Sequence, residues 1–415
     1  MNNTNKITKT DSTSPTRDVW KKFRRNKPAV FGLIVIILAI FVSLLGSLIR
    51  PDTTPDANNQ IPPISKKRPG FKVEQLLLRQ NKQVEEIGFW GRMFFGGQPQ
   101  YYQHIPFYSH KIEGTEVVIE EYTGFKEFEG YNPKHTRYSI AEVVHPIIKD
   151  ETHPIKSDGK GNLTFYLLNG EKVTESIVEL QRKVEKNHII SKIYWLGTDI
   201  NGRDMLSRLM AGTIVSLSVG LIAVTISILI GLFLGAIAGY YKGWIDDIIM
   251  WLINVVWSIP TLLLVIAITM ALGKGFEKVF IAVGLTMWVE VARLVRGQVL
   301  GLREREFIEA GKAMGFTPFR IIFKHILPNI MGPVIVVSSA NFASAILIES
   351  GLSFLGIGAQ IPMASWGMMI EQHRNFITTD GMAFLAILPS GLIVLMVLAF
   401  MLVGNGLRDA LDTKM

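Results

Sequence analysis

The chain has 415 residues, of which 48% are hydrophobic, and its mean hydropathy is +0.29. Water-soluble globular chains are usually less apolar, so this composition favours a membrane protein with membrane lipid around it. The absence of cysteine excludes disulfide bonds, thiolate metal sites and cysteine nucleophiles. The formal net charge of +8 comes without the aromatic or glycine-rich modules of nucleic-acid-binding proteins, so no nucleic acid is expected as a partner.

Six apolar runs are long enough to cross a bilayer, since a membrane-spanning helix needs about 20 apolar residues. The sequence therefore predicts an all-α polytopic membrane protein. The first run lacks the small-residue cleavage site of a signal peptide, so we expect it to remain as a membrane helix. The six runs cover about residues 30–49, 213–239, 245–272, 277–299, 329–352 and 383–404.

The distribution of basic residues predicts the orientation of the chain. Eight lysines and arginines but only two aspartates precede the first run, and such an excess marks the cytoplasmic side. Residues 1–28 are therefore expected to be a cytoplasmic tail, followed by the first transmembrane helix at 29–49. Alternation of the spans places residues 50–195 outside, and the loop at about 300–328 and the C-terminus inside. That loop carries further basic residues, namely Arg303, Arg305, Lys312, Arg320 and Lys324.

The polar segment between the first and second spans is predicted to form a small inserted extracytoplasmic α+β domain. Its pattern predicts a helix, a strand, a β-hairpin and a second helix, at residues 73–84, 115–122, 163–173 and 175–186. The hairpin is expected to turn at Asn169 and Gly170, a pair typical of tight turns. The histidines lack the H-x-x-x-H or H-E-x-x-H spacing of zinc sites, so no metal site is predicted.

Two features of the predicted spans bear on their packing. Gly231, Gly235 and Gly239 recur every four residues in the second span, and such a stripe lets two helix backbones approach closely. Pro260 and Pro389 interrupt the third and sixth spans, so we expect local kinks that are buried against protein.

The loop between the fourth and fifth spans has an unusual pattern for a simple connector. Residues 307–314 favour a helix with a surface of small side chains, and Gly315 offers a C-cap to that helix. Thr317 and Pro318 begin a second, amphipathic helix, which is expected to end at Pro328. The sequence therefore predicts two short helices at the inner face of the membrane, where small residues let a partner approach.

This loop resembles the EAA loop of binding-protein-dependent ABC importer permeases. Gly311 stands where the family has alanine, and His325 where it has isoleucine, while the spacing is kept. The resemblance implies that the loop docks onto a cytoplasmic ATPase. The residues that carry the match, and that the resemblance assigns to this coupling, are Glu309, Ala310, Gly311, Gly315, Leu327 and Pro328.

A second segment, at residues 195–220, is similar to the dipeptide, oligopeptide and nickel permeases of this family. The tail at 404–412 and the stretch at 349–367 also look like this group. Ile214 stands where the group usually has arginine. The residues in register before the second span are Leu196, Gly197, Thr198, Asp199, Gly202, Arg203, Asp204, Ser207 and Arg208. We expect the charged members of this set to have a structural role, pairing along a short surface helix that begins near Asn201, with a metal or catalytic cluster as the alternative.

The resemblance implies a type I ABC importer transmembrane domain of six helices, five of them in a permease core at residues 196–415. It further implies a bacterial cytoplasmic membrane, a second homologous permease, two cytoplasmic ATPase subunits and an extracytoplasmic solute-binding protein. This chain is expected to be no enzyme and to hold no cofactor, because it lacks the G-x-x-x-x-G-K-[ST] phosphate loop. ATP and Mg would be bound by the partner ATPases. Short peptides are the expected cargo, with nickel or another small solute as the alternative.

Two carboxylates at membrane depth are candidates for the translocation pathway, since ionisable groups there are costly and mark functional sites. Glu290 is expected to pair with Arg293 on one helix face, with a solute contact as the alternative. Glu349, near the outer end of the fifth span, either lines the pathway or marks the interface with the loop that leads to Ala383.

Two other classes of protein fit the sequence less well. A membrane sensor would use the insert to bind a signal, and a secondary transporter would use an ion gradient. Neither class needs a pair of docking helices for an ATPase. An ion-driven carrier should also show midplane acids or broken helices in symmetry-related halves, which the spans do not indicate.

Overall fold

The computed structural model describes residues 15–94, 96–124, 132–273 and 275–411. Its helices are α1 (Pro15–Arg25), α2 (Lys27–Ile49), α3 (Phe89–Phe94), α4 (Ile140–Val144), α5 (Ile177–Lys183), α6 (Met205–Tyr241), α7 (Gly243–Trp257), α8 (Thr261–Leu272), α9 (Phe276–Arg303), α10 (Glu306–Ala313), α11 (Pro318–Arg320), α12 (Leu327–Phe354), α13 (Trp366–His373) and α14 (Phe384–Leu411). Its strands are β1 (Phe71–Arg79), β2 (Tyr102–Glu113), β3 (Glu116–Glu121), β4 (His135–Ser139), β5 (Lys156–Ser157), β6 (Asn162–Tyr166), β7 (Lys172–Ser176) and β8 (Ile189–Tyr194).

Long apolar helices form the membrane part of the molecule. Within the described residues, α2, α6, the continuous α11–α12 segment and α14 are long and apolar enough to cross a membrane, and α7 with α8 qualifies as a bent pair. The fourth predicted span, at about 277–299, is α9, which packs against α6, α7, α8 and α12. Its charged residues make it a poor lipid-facing helix, and these four helices cover much of its surface. These residues are Glu277, Lys278, Glu290, Arg293, Arg296 and Arg303.

The third predicted span is two helices and not one kinked helix. α7 and α8 meet at an angle of 94°, and Pro260 stands immediately before α8 with an extended ψ of 125°. Proline has no N–H to donate and disfavours helical geometry in the residue before it, Ile259, which explains the break. Pro389, in contrast, lies inside the unbroken α14.

The glycine stripe brings α6 and α9 into backbone contact, as the sequence predicts. A Cβ atom added to Gly231 would lie 2.5 Å from Cβ of Val291, and one added to Gly235 would lie 2.4 Å from the carbonyl oxygen of Ala292. The same atom on Gly239 would lie 2.8 Å from a carbonyl oxygen of α9. No side chain fits at these positions, so the two helices pack through their main chains.

The inserted segment forms two antiparallel sheets with short helices against them. The larger sheet has the strand order β4-β3-β2-β1-β8, and the smaller has the order β5-β6-β7. Leu76 pairs with Ile105 on one side and Ile189 on the other, so β1 is a central strand. The core between the sheets and helices α4 and α5 includes Leu76, Phe107, Ile119, Phe165 and Leu180.

The predicted helix at residues 73–84 is wrong, because this stretch contains β1. Its local pattern suits a helix, but pairing with a strand on each side satisfies its main-chain groups and overrides the local preference. The strand predicted at 115–122 is confirmed as β3, and the hairpin at 163–173 as β6 and β7, with Gly170 at φ +83°. The helix predicted at 175–186 is confirmed as α5, extended by a π-helical turn at Val184–His188.

The two ends of the insert lie side by side on the membrane part. Thr198 N donates to the carbonyl oxygen of Lys67 over 3.0 Å, and Lys67 N donates to Oγ1 of Thr198 over 2.9 Å. Lys66 N donates to the carbonyl oxygen of Asp199 over 2.9 Å. The chain therefore enters and leaves the two sheets through connections that lie next to each other.

Replacing Gly235 by alanine should destabilise the α6–α9 contact. The new methyl group meets a carbonyl oxygen that cannot move without separating the helices, and overpacking of this kind costs about 1–3 kcal/mol. We expect a lower thermal unfolding temperature for the Gly235→Ala protein purified in detergent. The matched control is Gly297→Ala in α9, where nothing lies within 4 Å of the added Cβ. Equal unfolding temperatures for the two variants would contradict the close contact.

Candidate functional site

The loop between α9 and α12 contains the two helical segments that the sequence predicts. α10 ends at Ala313 with Met314 as its C-cap, and Gly315 follows with φ +76°, a conformation that favours glycine. Phe316 N donates to the carbonyl oxygen of Gly311 over 3.0 Å and closes the turn. Thr317 caps the next helix by accepting a hydrogen bond from Arg320 N at 3.4 Å. The C-cap and N-cap predictions for this loop are therefore confirmed.

The predicted end of the second loop helix at Pro328 is wrong. α11 continues through a π-helical turn, Ile321–Ile326, directly into α12. Leu327 N donates to the carbonyl oxygen of Ile322, five residues earlier. Pro328 is the second residue of α12 and follows this π-helical turn, where the regular α-helical hydrogen-bond pattern is already interrupted. The loop is thus joined to a membrane helix without a flexible break.

The underside of the loop is apolar and packs on the membrane helices. Ile308 of α10 and Ile321 and Ile326 of the second segment are almost fully buried. They belong to one cluster with Val295 and Val299 of α9. Because interiors of this kind are close-packed, a displacement of the loop is passed directly to α9 and α12.

The six residues assigned to ATPase coupling differ in exposure. Glu309, Ala310, Gly315 and Pro328 are exposed, Leu327 is half-buried, and Gly311 is buried with its Cα face against the ring of Phe316. Gly311 therefore shapes the loop from within. The loop also exposes large apolar side chains, a sign of a protein or lipid partner. They are Phe307, Met314, Phe319 and Phe323.

Polar contacts fix the start of the loop to the turn between α6 and α7. Lys242 Nζ donates to Oε1 of Glu304 at 2.9 Å, and this hydrogen bond lowers the pKa of the Glu304 carboxyl group. Arg303 Nη1 donates to the carbonyl oxygen of Tyr240 at 2.5 Å. These polar contacts therefore hold the first residues of the loop, and apolar packing holds its underside.

A buried polar cluster surrounds the N-terminus of α6. Arg203 Nε donates to Oδ2 of Asp199 at 2.5 Å, and both side chains are about 1% exposed. Other nitrogens of the same guanidinium donate to Asn58 and Gln372. Asp204 caps α6 by accepting from Ser207 N at 2.7 Å. The surface helix expected from Asn201 is wrong, because these residues form a buried turn that joins three distant segments of the chain.

Arg208 extends this cluster towards the segment that precedes α13. Its Nη1 donates to the carbonyl oxygens of Asp56 and Pro362, at 3.0 and 2.9 Å. Trp366 packs beside it, with Nε1 donating to the carbonyl oxygen of Leu209 at 3.0 Å. Burial also lowers the pKa of the nearby Arg50, whose Nε donates to the carbonyl oxygen of Asp52 at 2.6 Å. These contacts support the structural role expected for the charged residues of this segment.

Glu349 lies against the loop that follows α12. It is fully buried, and the hydroxyls of Ser353 and Ser365 each donate to its Oε1 at 2.7 Å. Ser350 donates to Oε2 at 3.5 Å. Of the two roles considered for Glu349, this geometry favours the interface with the loop, because the carboxylate is already occupied by hydroxyl donors.

Glu290 does not pair with Arg293, so that expectation is wrong. Arg293 Nη2 donates to Oδ1 of Asn254 at 3.1 Å, and its guanidinium lies 3.6 Å from the ring centroid of Trp257. Glu290 is exposed at the edge of a cavity beside the α7–α8 bend. The guanidinium therefore contacts α7 and leaves the carboxylate of Glu290 without it, although the two residues lie one helical turn apart.

The sequence reasoning missed one ion pair that braces this region. Asp246 of α7 accepts two hydrogen bonds from Arg296 of α9, at 2.5 and 2.7 Å. Bidentate pairs of this type are strong and directional. The available signal was an aspartate at the edge of an apolar run, but the sequence alone does not pair residues 50 positions apart.

Family models match both ends of the chain. Residues 231–415 match the binding-protein-dependent transport system inner membrane component, and residues 14–63 match the N-terminal transmembrane domain of oligopeptide transport permease C. Neither model includes the sheets at 71–194.

Individual proteins similar to this chain are also named as permeases. The chain is 45% identical over 222 residues to the dipeptide transport system permease protein DppC of Alkalihalophilus pseudofirmus, covering 54% of this chain and 72% of that protein. It is 43% identical to the glutathione permease GsiD of Pectobacterium atrosepticum, covering 54% and 74%, and 39% identical to the oligopeptide permease OppC of Bacillus subtilis, covering 54% and 73%. A solved inward-facing methionine ABC transporter, MetNI, matches at 18% identity with a TM-score of 0.43, covering 50% of this chain and 98% of that one.

The chain is therefore a multi-pass membrane permease subunit of an ATP-binding cassette importer, with the helical fold of that class. Within that class it belongs to the family of dipeptide and oligopeptide permeases, in the group of C-type subunits. It is not itself an enzyme, because ATPase activity in this family resides in partner subunits.

Removing one partner of the buried ion pair should strongly destabilise the protein. Asp199→Asn leaves the guanidinium of Arg203 buried without its counter-charge, which costs about 3–5 kcal/mol. We expect a large fall in the unfolding temperature in detergent, and Asp380→Asn at an exposed position serves as the control. The double variant Asp199→Asn with Arg203→Met should recover much of the loss. An unaffected Asp199→Asn protein would show that the pair does not hold this region together.

Proposed function

We propose that this chain forms half of a membrane channel that carries short peptides into the cell. The observation that supports this is its relationship to permeases named for dipeptides, oligopeptides and glutathione, all of them short peptides. These names favour peptides over nickel as the cargo. A second, similar permease forms the other half, and an extracytoplasmic binding protein delivers the peptide.

We propose further that two cytoplasmic ATPases, which bind ATP and Mg, drive transport through the loop described above. Glu309, Ala310 and Gly315 form the exposed contact, with Pro328 beside it and Gly311 and Leu327 supporting it from within. The apolar underside of the loop carries the movement to α9 and α12.

In this arrangement the N-terminal tail, the coupling loop and the C-terminus face the cytoplasm of a bacterium. The basic residues in the tail and the loop support this orientation. The insert at 50–195 then lies outside the membrane, with its sheets at 71–194 and its first part packed on the permease core. Its position places it on the side from which the binding protein delivers the solute.

A β-branched residue at Gly315 should uncouple the ATPase from transport. Valine is strained at the observed φ of +76°, at a cost of about 1–2 kcal/mol, and the turn must change shape. We expect Gly315→Val to lower uptake of a labelled tripeptide by roughly tenfold in cells that lack the native chain. Gly315→Asn is the matched control, since asparagine tolerates this conformation, and it should retain most uptake. If valine transports as well as asparagine, the turn is not needed for coupling.

A cysteine placed at Ala310 should crosslink to the ATPase. The chain has no cysteine of its own, so the new thiol is unique within it. We expect a disulfide with cysteines introduced along the groove of the ATPase in the assembled transporter. Ile308→Cys, two residues away but almost fully buried, should give none. Failure at Ala310 across the whole groove would refute the docking contact.

A further inference from the structure

The bend between α7 and α8 opens a cavity inside the membrane part. It has a volume of about 220 Å³ and lies between the bend, α9 and α12. Its lining combines apolar side chains with the polar groups of Glu290, Thr286 and Ser344. Glu290 and Ser344 are exposed in this single chain, so a solute can reach them.

The charged side chains around this cavity differ in whether they have hydrogen-bond or ion-pair partners. Arg296 is neutralised by two hydrogen bonds to Asp246, and Arg293 is held by Asn254 and the ring of Trp257. Glu290 has no hydrogen bond or ion pair within the part of the chain that the structure describes. It is the fifteenth residue of the 28-residue α9, so its carboxylate sits midway along a membrane helix. An unpaired charge at that depth is costly unless a partner or solute meets it.

We propose that this cavity is a binding site on the solute pathway and that it binds the protonated amino terminus of a peptide. Glu290 provides the counter-charge, and the hydroxyl oxygen of Thr286 is a further acceptor, while Ser344 lines the cavity beside them. The volume suits the first residue of a peptide and not a whole oligopeptide, so side chains beyond it remain free. This inference rests on the peptide cargo proposed above and adds the chemical group that the permease recognises.

The same cavity is poorly suited to a divalent metal ion. Such ions take several oxygen or nitrogen ligands from the protein, whereas this lining offers a single carboxylate and no histidine. In the described residues, no three histidine, aspartate or glutamate side chains are grouped closely enough to hold a metal. An ammonium group needs only one carboxylate and a hydroxyl acceptor, which Glu290 and Thr286 provide.

The test uses a cysteine at Ser344 as a reporter of occupancy in the assembled transporter. The complete complex, with its second permease, ATPases and binding protein, is labelled with a maleimide, and the label on this chain is read after separation of the subunits. Labelling is compared without peptide, with trialanine and with N-acetyl-trialanine. The three proteins compared are Ser344→Cys alone and the same chain with Glu290→Gln or with Glu277→Gln, a carboxylate on the same helix outside the cavity.

We expect trialanine to slow labelling of Ser344→Cys and of the Glu277→Gln form, while N-acetyl-trialanine does not. In the Glu290→Gln form, about tenfold more trialanine should be needed for the same protection, since a hydrogen bond to a charged group is lost. Uptake of trialanine by the same complexes is measured in parallel. Uptake without protection, or protection unchanged by Glu290→Gln, overturns the amino-group site while peptide transport stands. Absence of both uptake and protection of Ser344→Cys overturns the peptide cargo itself.

Discussion

Direct contact between the backbones of α6 and α9 is the constraint on which the rest of the membrane part depends. Lipid supplies no hydrophobic force to hold two helices together, so their association relies on close packing. The glycines of α6 remove the side chains that would keep α9 away. Once α9 is enclosed by protein, it can carry charged residues that a lipid-facing helix could not. Its ion pair with Asp246 and the packing of Val295 and Val299 under the loop both depend on that position.

The buried cluster at the N-terminus of α6 attaches the large inserted domain to a membrane helix. Two connections leave the membrane part next to each other, at Lys67 and Thr198, and main-chain hydrogen bonds join them. Arg203 and Arg208 bind the first part of the insert, at Asn58 and Asp56, as well as the segment near α13. The sheets can therefore be added between the first and second spans without changing how the helices below them pack.

Local signals in the sequence predicted what depends on neighbours along the chain. The turn at Gly315, the cap at Thr317, the hairpin at Gly170 and the glycine stripe each depend on residues a few positions apart. Such features leave a mark in the pattern of glycine, proline and hydroxyl side chains. The resemblance of the loop to the ABC importer permeases indicated an ATPase as its partner, which no local pattern in the sequence predicts.

What the sequence could not predict depends on contacts between distant residues. β1 looks helical until strands from both sides pair with it. Asp199 and Arg203 look like a surface pair until the segments around Asn58 and Gln372 cover them. Likewise, Arg293 contacts Trp257 of α7 and not Glu290 of its own helix. This contact depends on the angle of α7, which follows from the break between α7 and α8 at Pro260.

The unbroken run from α11 through α12 spans 37 residues, from Pro318 to Phe354. At 1.5 Å per residue it is a rod about 55 Å long. One end stands in the exposed loop, and the other carries Glu349 with its ring of serine hydroxyls. In a helix of this length, a tilt of about 10° at the Pro318 end moves the Phe354 end by about 10 Å. A non-helical break at Pro328 would absorb that motion, whereas the helix continues through this position.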